Sequence, residues 1–232
     1  MPSNAPAATR ALAALRILAQ ASGPMTAGAL ARELAAPRSS TYHLLAAMAA
    51  EGFVVHFPED ERWGLGVAAF ESGAAYLRHE PLEHLGRPVI TRLAAQAARI
   101  APVVAHLGVL HGRETVYLAR AGSPDRLTVI VEVGVRLPAS LTASGRALLA
   151  GLPDAQVRAL FGARDWLVDR TGRGPLTPGA LTRLLTAERG RGWAAEDGFI
   201  VDGYASVAAA AVDRAGWPTA SLALTVRSAR ID

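Results

Sequence analysis

The chain contains no cysteine and no lysine among its 232 residues. Without cysteine there is no disulfide frame, no thiolate metal site and no thiol nucleophile. Without lysine there is no phosphate-cradling glycine loop followed by Lys, and "GLPDAQ" and "TGRGPL" lack the G-x-S-x-G elbow. No apolar run reaches the roughly 18 residues that a membrane span needs. The opening "MPSNAPAATR" has no apolar signal core, so the expected location is cytoplasmic. The six histidines include His79 with His84 and His106 with His111, each pair five apart. That offset matches neither one helical face nor one strand face, so no metal site, no cofactor and no enzyme activity are expected.

All positive charge is therefore arginine, and with the excess of Ala, Gly and Pro this points to GC-rich coding, so part of the basicity reflects codon choice. Residues 1–75 hold five Arg against six Asp and Glu, and residues 76–232 nineteen against fourteen. A nucleic-acid partner must then be argued from local arrangement and not from net charge. The apolar content of 51% is ample core material for one or two domains.

Residues 9–21, "TRALAALRILAQA", place Leu12, Leu15 and Leu18 on one helical stripe, with Ala11, Ala14 and Ile17 beside it. After "SGP", Thr26 stands where an N-cap belongs, ahead of a short helix with Leu30 and Leu34 four apart. Pro37 breaks the period. Ser39 or Ser40 can cap a third helix to about Glu51, with Leu44, Leu45 and Met48 inward and Gly52 as its stop. "FVVHFPEDERWGLG" then reads as a hairpin about a Pro-Glu-Asp-Glu turn.

A linking helix from about Val67 to Leu77 follows, and Pro81 marks the expected boundary, giving residues 1–66, a linker at 67–80 and a second domain at 81–232. In that second domain a helix around 82–98 leads to the strand pair "APVVAHLGVL" and "TVYLAR", and "RLTVIVEV" reads as another strand. A loop enters a helix at about Ser144, "TPGALTRLLTAERGRG" is an amphipathic helix ended by glycines, and "YASVAAAAVD" and "TASLALTV" are the last strands. The expected class is α+β with one antiparallel sheet.

Two short helices with a tight break, the second polar at its N-terminus and followed by a hairpin, make a winged helix-turn-helix. The major groove admits one such helix, whose first turn reaches base edges while its amides can meet phosphate. Arg38, Ser39, Ser40, Tyr42 and His43 would form the exposed face, and Arg62 on the hairpin would touch backbone or minor groove. A three-helix module used for protein contacts fits the same pattern.

Residues 9–66, through "RALAALRILA", "TAGALARELAAPRSSTYHLLAAMAAEGFV" and "RWGLG", resemble the DNA-binding domain of the IclR family of bacterial transcription regulators. "GVRLPASLTASGRALLAGLP", "ERGRGWAAEDG" and "SVAAAAVDRAGWPTASLALTV" resemble that family's effector domain, in the same order. The resemblance implies a winged helix-turn-helix joined by a helix to a GAF-like effector-binding domain. It also implies homodimers or homotetramers on palindromic or repeated operator half-sites, and usually a repressor of a catabolic or secondary-metabolism operon. The DNA-contacting set it implies is Arg10, Thr26, Arg38, Ser39, Ser40, Thr41, Tyr42, His43 and Arg62. His43 stands where the family commonly carries arginine, and Gly198 and Phe199 follow Glu196-Asp197 where further acidic residues are usual.

By the same resemblance an effector pocket would be rimmed by Ala143, Ser144, Gly145, Asp197, Phe199, Ser206, Ala223 and Thr225. A helix starting near Ser144 favours an anion, and Gly145 would let a ligand approach the backbone, so a small organic acid or similar oxygenated metabolite is the expected effector. Each residue has a plainer alternative. Ser144 can be an N-cap, Asp197 a surface partner of Arg191, Ser206 a donor to backbone, Phe199 packing, and Arg146 a solvated cation.

Overall fold

The computed structural model describes residues 5–79, 81–122, 132–163 and 166–228. The chain divides into two compact units, Met1–Glu80 and Pro81–Asp232.

In the first unit, α1 (Pro6–Gln20) starts with proline in its first turn, where the missing N–H has no helical partner to lose. Its inward residues are Ala14 and Leu18, with Ala11, Leu15 and Ile17 packed beside them. Leu12 is 63% exposed, because a three-residue step from Leu15 drifts off the 3.6-residue stripe that buries Ala14 and Leu18. The expected stripe is corrected accordingly.

β1 (Met25–Thr26) precedes α2 (Ala27–Glu33), which Thr26 caps by accepting the Ala29 N–H at 3.2 Å. The turn to the next helix passes through Ala35 in the left-handed region at φ 49°. Then α3 (Arg38–Ala50) starts on Pro37, with no side-chain cap, so neither Ser39 nor Ser40 caps it. Both serines lie inside the first turn instead. Glu51 ends the helix and Gly52 follows at φ 72°, a conformation that glycine takes without a Cβ clash.

The wing is β2 (Val54–Phe57) and β3 (Arg62–Leu65), and β3 is the middle of a three-stranded sheet because β1 pairs with its other edge, Thr26 opposite Arg62. Trp63 and Val54 close the core on Ala14, Leu18, Ala27, Leu30, Leu45 and Met48. The unit ends in α4 (Val67–His79).

The second unit opens with α5 (Pro81–Ala97), whose Ile90 and Ala94 lie on Ala105, Leu107, Leu118, Ala119 and Ala220. The sheet is antiparallel, in the order β6-β5-β4-β9-β8-β7. Its strands are β4 (Val104–His111), β5 (Glu114–Gly122), β6 (Arg136–Pro138), β7 (Ala194–Asp197), β8 (Tyr204–Val212) and β9 (Pro218–Arg227). Of the strand expected at "RLTVIVEV", residues 126–131 lie outside the described residues, and Glu132 and Val133 are not in a strand.

α6 (Ala143–Gly151) packs by its alanines on Ala194, Ala208 and Ala223 of the sheet. α7 (Asp154–Phe161) and α8 (Pro178–Arg191) bury Val157, Phe161, Leu181 and Leu185 with Leu149. α6 is thus enclosed by helices and sheet, and Ala143 through Ala150 are all buried. Small side chains at 143, 147 and 150 allow that close approach, whereas a larger residue would separate the layers.

Candidate nucleic-acid interface and ligand cavity

In the first half of α3 the exposed residues are Arg38, Ser39, Ser40, Tyr42 and His43, and Ala46, Ala47 and Ala50 continue the outward side. Thr41 is 1% exposed and belongs with Leu45 and Met48, four and seven residues on, to the inward stripe. Its hydroxyl donates to the Pro37 carbonyl at 3.0 Å. Thr41 is therefore removed from the expected contact set: the family resemblance put it there, but periodicity places it inside. The Arg38 guanidinium lies against α2, so close that a Cβ at Gly28 would sit 3.4 Å from it.

Thr26 and Arg62 are register neighbours, and both are already engaged, Thr26 as the cap of α2 and Arg62 by donating to the Pro24 carbonyl at 2.9 Å. Arg62 remains on the exposed side of the wing. Arg10 is exposed on α1, a separate element. Phe57 and Val55, both exposed apolar residues of the wing, were not singled out from sequence.

In the second unit a cavity of about 410 Å³, including its open mouth, lies between the start of α6 and the sheet. Ala143, Ser144, Ser206, Ala223 and Thr225 line it, together with Tyr117, Leu137, Thr142, Glu196, Ile200, Val201 and Tyr204. Three expected rim residues are absent. Gly145 packs on the chain instead: a Cβ there would meet the Ala139 backbone at 2.4 Å, so close packing and not ligand access explains the glycine. Asp197 points to the exposed side of β7 and accepts from the Ser228 hydroxyl at 2.6 Å. It does not pair with Arg191, which donates to the Trp193 carbonyl and stacks on that indole. Phe199 packs with Tyr117, Leu137, Leu141 and Ile200.

Strand alternation puts Glu196, one residue before Asp197, on the buried face toward the cavity. Gly198 turns the chain at φ 69°, which lets the Phe199 amide donate back to Glu196 Oε2 at 2.9 Å. Burial raises the Glu196 carboxyl above its ordinary pKa, opposed by the Ser206 hydroxyl, the Phe199 amide and the charge of Arg146. The Tyr117 hydroxyl is pushed up to about 12, chiefly by burial, and so stays a donor at neutral pH.

Thr142, and not Ser144, caps α6, accepting from the Gly145 N–H at 2.9 Å and hydrogen-bonded to the Thr115 hydroxyl at 3.0 Å. The Ser144 hydroxyl is buried without a hydrogen bond of regular geometry. The Ala143 and Ser144 amides precede the first helical bond, which Arg146 N–H makes to Thr142 O. Ser206 bonds to the facing Thr225 hydroxyl at 3.0 Å and not to backbone.

The largest correction concerns Arg146, expected to be solvated and found fully buried. Its Nε donates to both oxygens of Glu188, at 3.0 and 3.2 Å, and Nη1 to the carbonyls of Leu141 at 2.8 Å and Ser140 at 3.3 Å. Nη2 donates to the Ala195 carbonyl, and the guanidinium lies 5.0 Å from the Phe199 ring centre. Burial lowers the Arg146 pKa and raises that of Glu188, and their mutual attraction opposes both shifts. A helix of small and apolar residues on every side of one arginine was the available signal, since a helix apolar all round is a buried one.

Residues 74–232 match the bacterial transcriptional regulator IclR C-terminal family, and residues 7–57 the IclR helix-turn-helix domain. The chain belongs to the IclR family. Its members are transcription regulators and not enzymes, and the helix-turn-helix makes this one a DNA-binding protein. The glycerol operon regulatory protein of Streptomyces griseus is 31% identical over 214 residues, 92% of this chain and 82% of that one.

Among solved structures, an IclR regulator from Alicyclobacillus acidocaldarius aligns with a TM-score of 0.86 at 21% identity, over 99% of this chain and 91% of that one. An IclR homologue from Microbacterium hydrocarbonoxydans, complexed with 4-hydroxybenzoate, aligns at 0.76 and 22% identity, over 95% and 89%. The α+β class agrees with these folds. No helix among the described residues is long and apolar enough to cross a membrane.

Proposed function

We propose that this IclR-family protein is a repressor of a catabolic or secondary-metabolism operon, acting from the cytoplasm as a homodimer or homotetramer on paired half-sites. Arg38, Ser39, Ser40, Tyr42 and His43 read the major groove, with Arg62, Thr26 and Arg10 placed to meet the phosphates. Its effector is a small hydroxylated organic acid held in the cavity at the start of α6.

The observation that carries the ligand reading is the Ser144 hydroxyl, buried at the cavity wall in the first turn of α6 with the Tyr117 hydroxyl as its neighbour, beside amides that precede the first helical bond. A carboxylate placed there meets donors at the positive end of a helix. Glu196, raised toward its neutral form, and the protonated Tyr117 then face the rest of the ligand and match a hydroxyl or a second oxygen. The 4-hydroxybenzoate held by a homologue of the same fold has that chemistry.

Gel shifts with the intergenic DNA upstream of its own gene test the first half. Binding should fall steeply with salt, and Arg38→Ala should weaken it by about 1–3 kcal/mol if the guanidinium reads a guanine. Unaltered binding removes Arg38 from the interface. Titration calorimetry tests the second half: 4-hydroxybenzoate and related carboxylates should bind and Ser144→Val should abolish the heat, whereas binding only of neutral lipids overturns the acid.

A further inference from the structure

β7 is the edge strand of the six-stranded sheet, so the backbone groups on its outer side have no neighbouring strand. At Ala195 both are nonetheless satisfied by side chains. The carbonyl accepts from Arg146, and the N–H donates to Glu188 Oε1 at 3.4 Å. The buried ion pair thus stands in for a missing strand at the residue before Glu196.

The same guanidinium holds the Ser140 and Leu141 carbonyls, which lead directly into the Thr142–Ser144 wall of the cavity. Its face meets Phe199, whose amide holds the Glu196 carboxylate. Arg146 lines no part of the cavity itself. It nevertheless joins the two walls that carry the cavity's polar groups.

We infer that Arg146, paired with Glu188, is the positioning residue of the cavity: it docks the edge strand β7 against the start of α6 and so sets where the Glu196 carboxyl faces the ligand. This rests on the reading of the cavity as the effector site. The fork is what matters. One guanidinium reaches two carboxylate oxygens and three carbonyls at fixed angles, which a single ammonium cannot do.

The test compares the wild type with Arg146→Lys, which keeps the charge and loses the fork, and with the doubly apolar Arg146→Met/Glu188→Met, which leaves no buried charge unpaired. Three quantities are read in the full chain: the titration midpoint of Glu196 by carbon-13 NMR, assigned with Glu196→Gln, the hydrogen exchange of the Ala195 amide, and the affinity for 4-hydroxybenzoate. The groups facing Glu196 are Arg146 from α6, Ser206 from β8, Tyr117 from β5, and Asp197 and the Phe199 amide from its own segment.

In the double variant the Glu196 midpoint should rise, since the Arg146 charge that favours its carboxylate is gone, and Ala195 exchange should accelerate about tenfold or more. Probe affinity should fall about tenfold, ~1.4 kcal/mol. Arg146→Lys should speed Ala195 exchange and weaken the probe at unchanged net charge. A merely structural pair would alter the unfolding midpoint alone. Wild-type values for all three quantities in a folded double variant, or wild-type exchange and affinity in Arg146→Lys, overturn the assignment. If 4-hydroxybenzoate binds neither wild type nor variant, the carboxylate reading fails, and the Glu196 midpoint and Ala195 exchange still decide this one.

Discussion

The starts of α3 and α6, Pro-Arg-Ser-Ser-Thr at 37–41 and Thr-Ala-Ser-Gly-Arg at 142–146, each combine an arginine, a threonine and serine, and they have opposite fates. In the first, Arg38, Ser39 and Ser40 are exposed and one threonine is buried. In the second, every residue is buried, the arginine included. What separates them lies in the rest of each helix. α3 buries only the stripe of Thr41, Leu45 and Met48 and turns Tyr42, His43, Ala46, Ala47 and Ala50 outward, whereas α6 continues as Ala-Leu-Leu-Ala-Gly, enclosed by helices and sheet. An arginine takes the environment of its helix, and a buried one then requires a carboxylate and carbonyls to receive its donors.

Removing each arginine separates the two cases most widely. Arg146→Met should cost about 3 kcal/mol in urea unfolding, because it leaves buried Glu188 with only the half-exposed Arg191 at 3.5 Å and strips the donors from the Ser140, Leu141 and Ala195 carbonyls. Arg38→Ala should change stability by less than about 0.5 kcal/mol while lowering operator affinity. Equal effects on stability would erase the contrast.

The next effect is smaller and runs the other way, toward similarity. Thr26 and Thr142 both cap helices with the same bond, to an N–H three residues on. Each Thr→Ala change should cost about 1 kcal/mol for the cap. Thr142→Ala should exceed Thr26→Ala, since the buried Thr115 hydroxyl also loses its partner.

The smallest expected effect is pH-dependent. The folded-state pKa of Glu196 is raised, mainly by burial, so the fold binds its proton more tightly than the unfolded chain does. Its stabilising contribution is therefore fully present below the ordinary carboxylate range and is lost as pH rises through the elevated folded midpoint. Relative to Glu196→Gln, the wild type should lose stability across that window, by less than about 1.4 kcal/mol per pH unit. Parallel unfolding curves from acid to neutral pH would place Glu196 in water.

Local signals made most of the fold readable. The Thr26 cap, the Gly52 stop, the hairpin turn and the glycine-ended α8 depend on neighbours a few residues apart, and each stands where its residues direct. Within the cavity, Ala143, Ser144, Ser206, Ala223 and Thr225 came from the family resemblance. Glu196 was missed for Asp197 although strand parity separates the two: in an edge strand read only as a segment before the last strands, that parity had no reference face. Gly145 was assigned to a ligand because the Ala139 backbone that crowds it cannot be seen in a local pattern.

By itself, then, the order of residues determined the helix-turn-helix with its wing, the α+β second half, the membership in a family of regulators, and the outward polar turn of α3. The family came from the resemblance of whole motifs, and the rest follows from periodicity, caps and turns that act over one or two helical turns. Only the tertiary structure decided that Arg146 meets Glu188 across 42 residues of chain, that this pair completes the edge of β7, and that Glu196 and not its neighbour faces the cavity. Those outcomes depend on which distant segments are packed together, and burial, by making an unpaired charge or amide costly, leaves each of these groups only the partner that packing supplies.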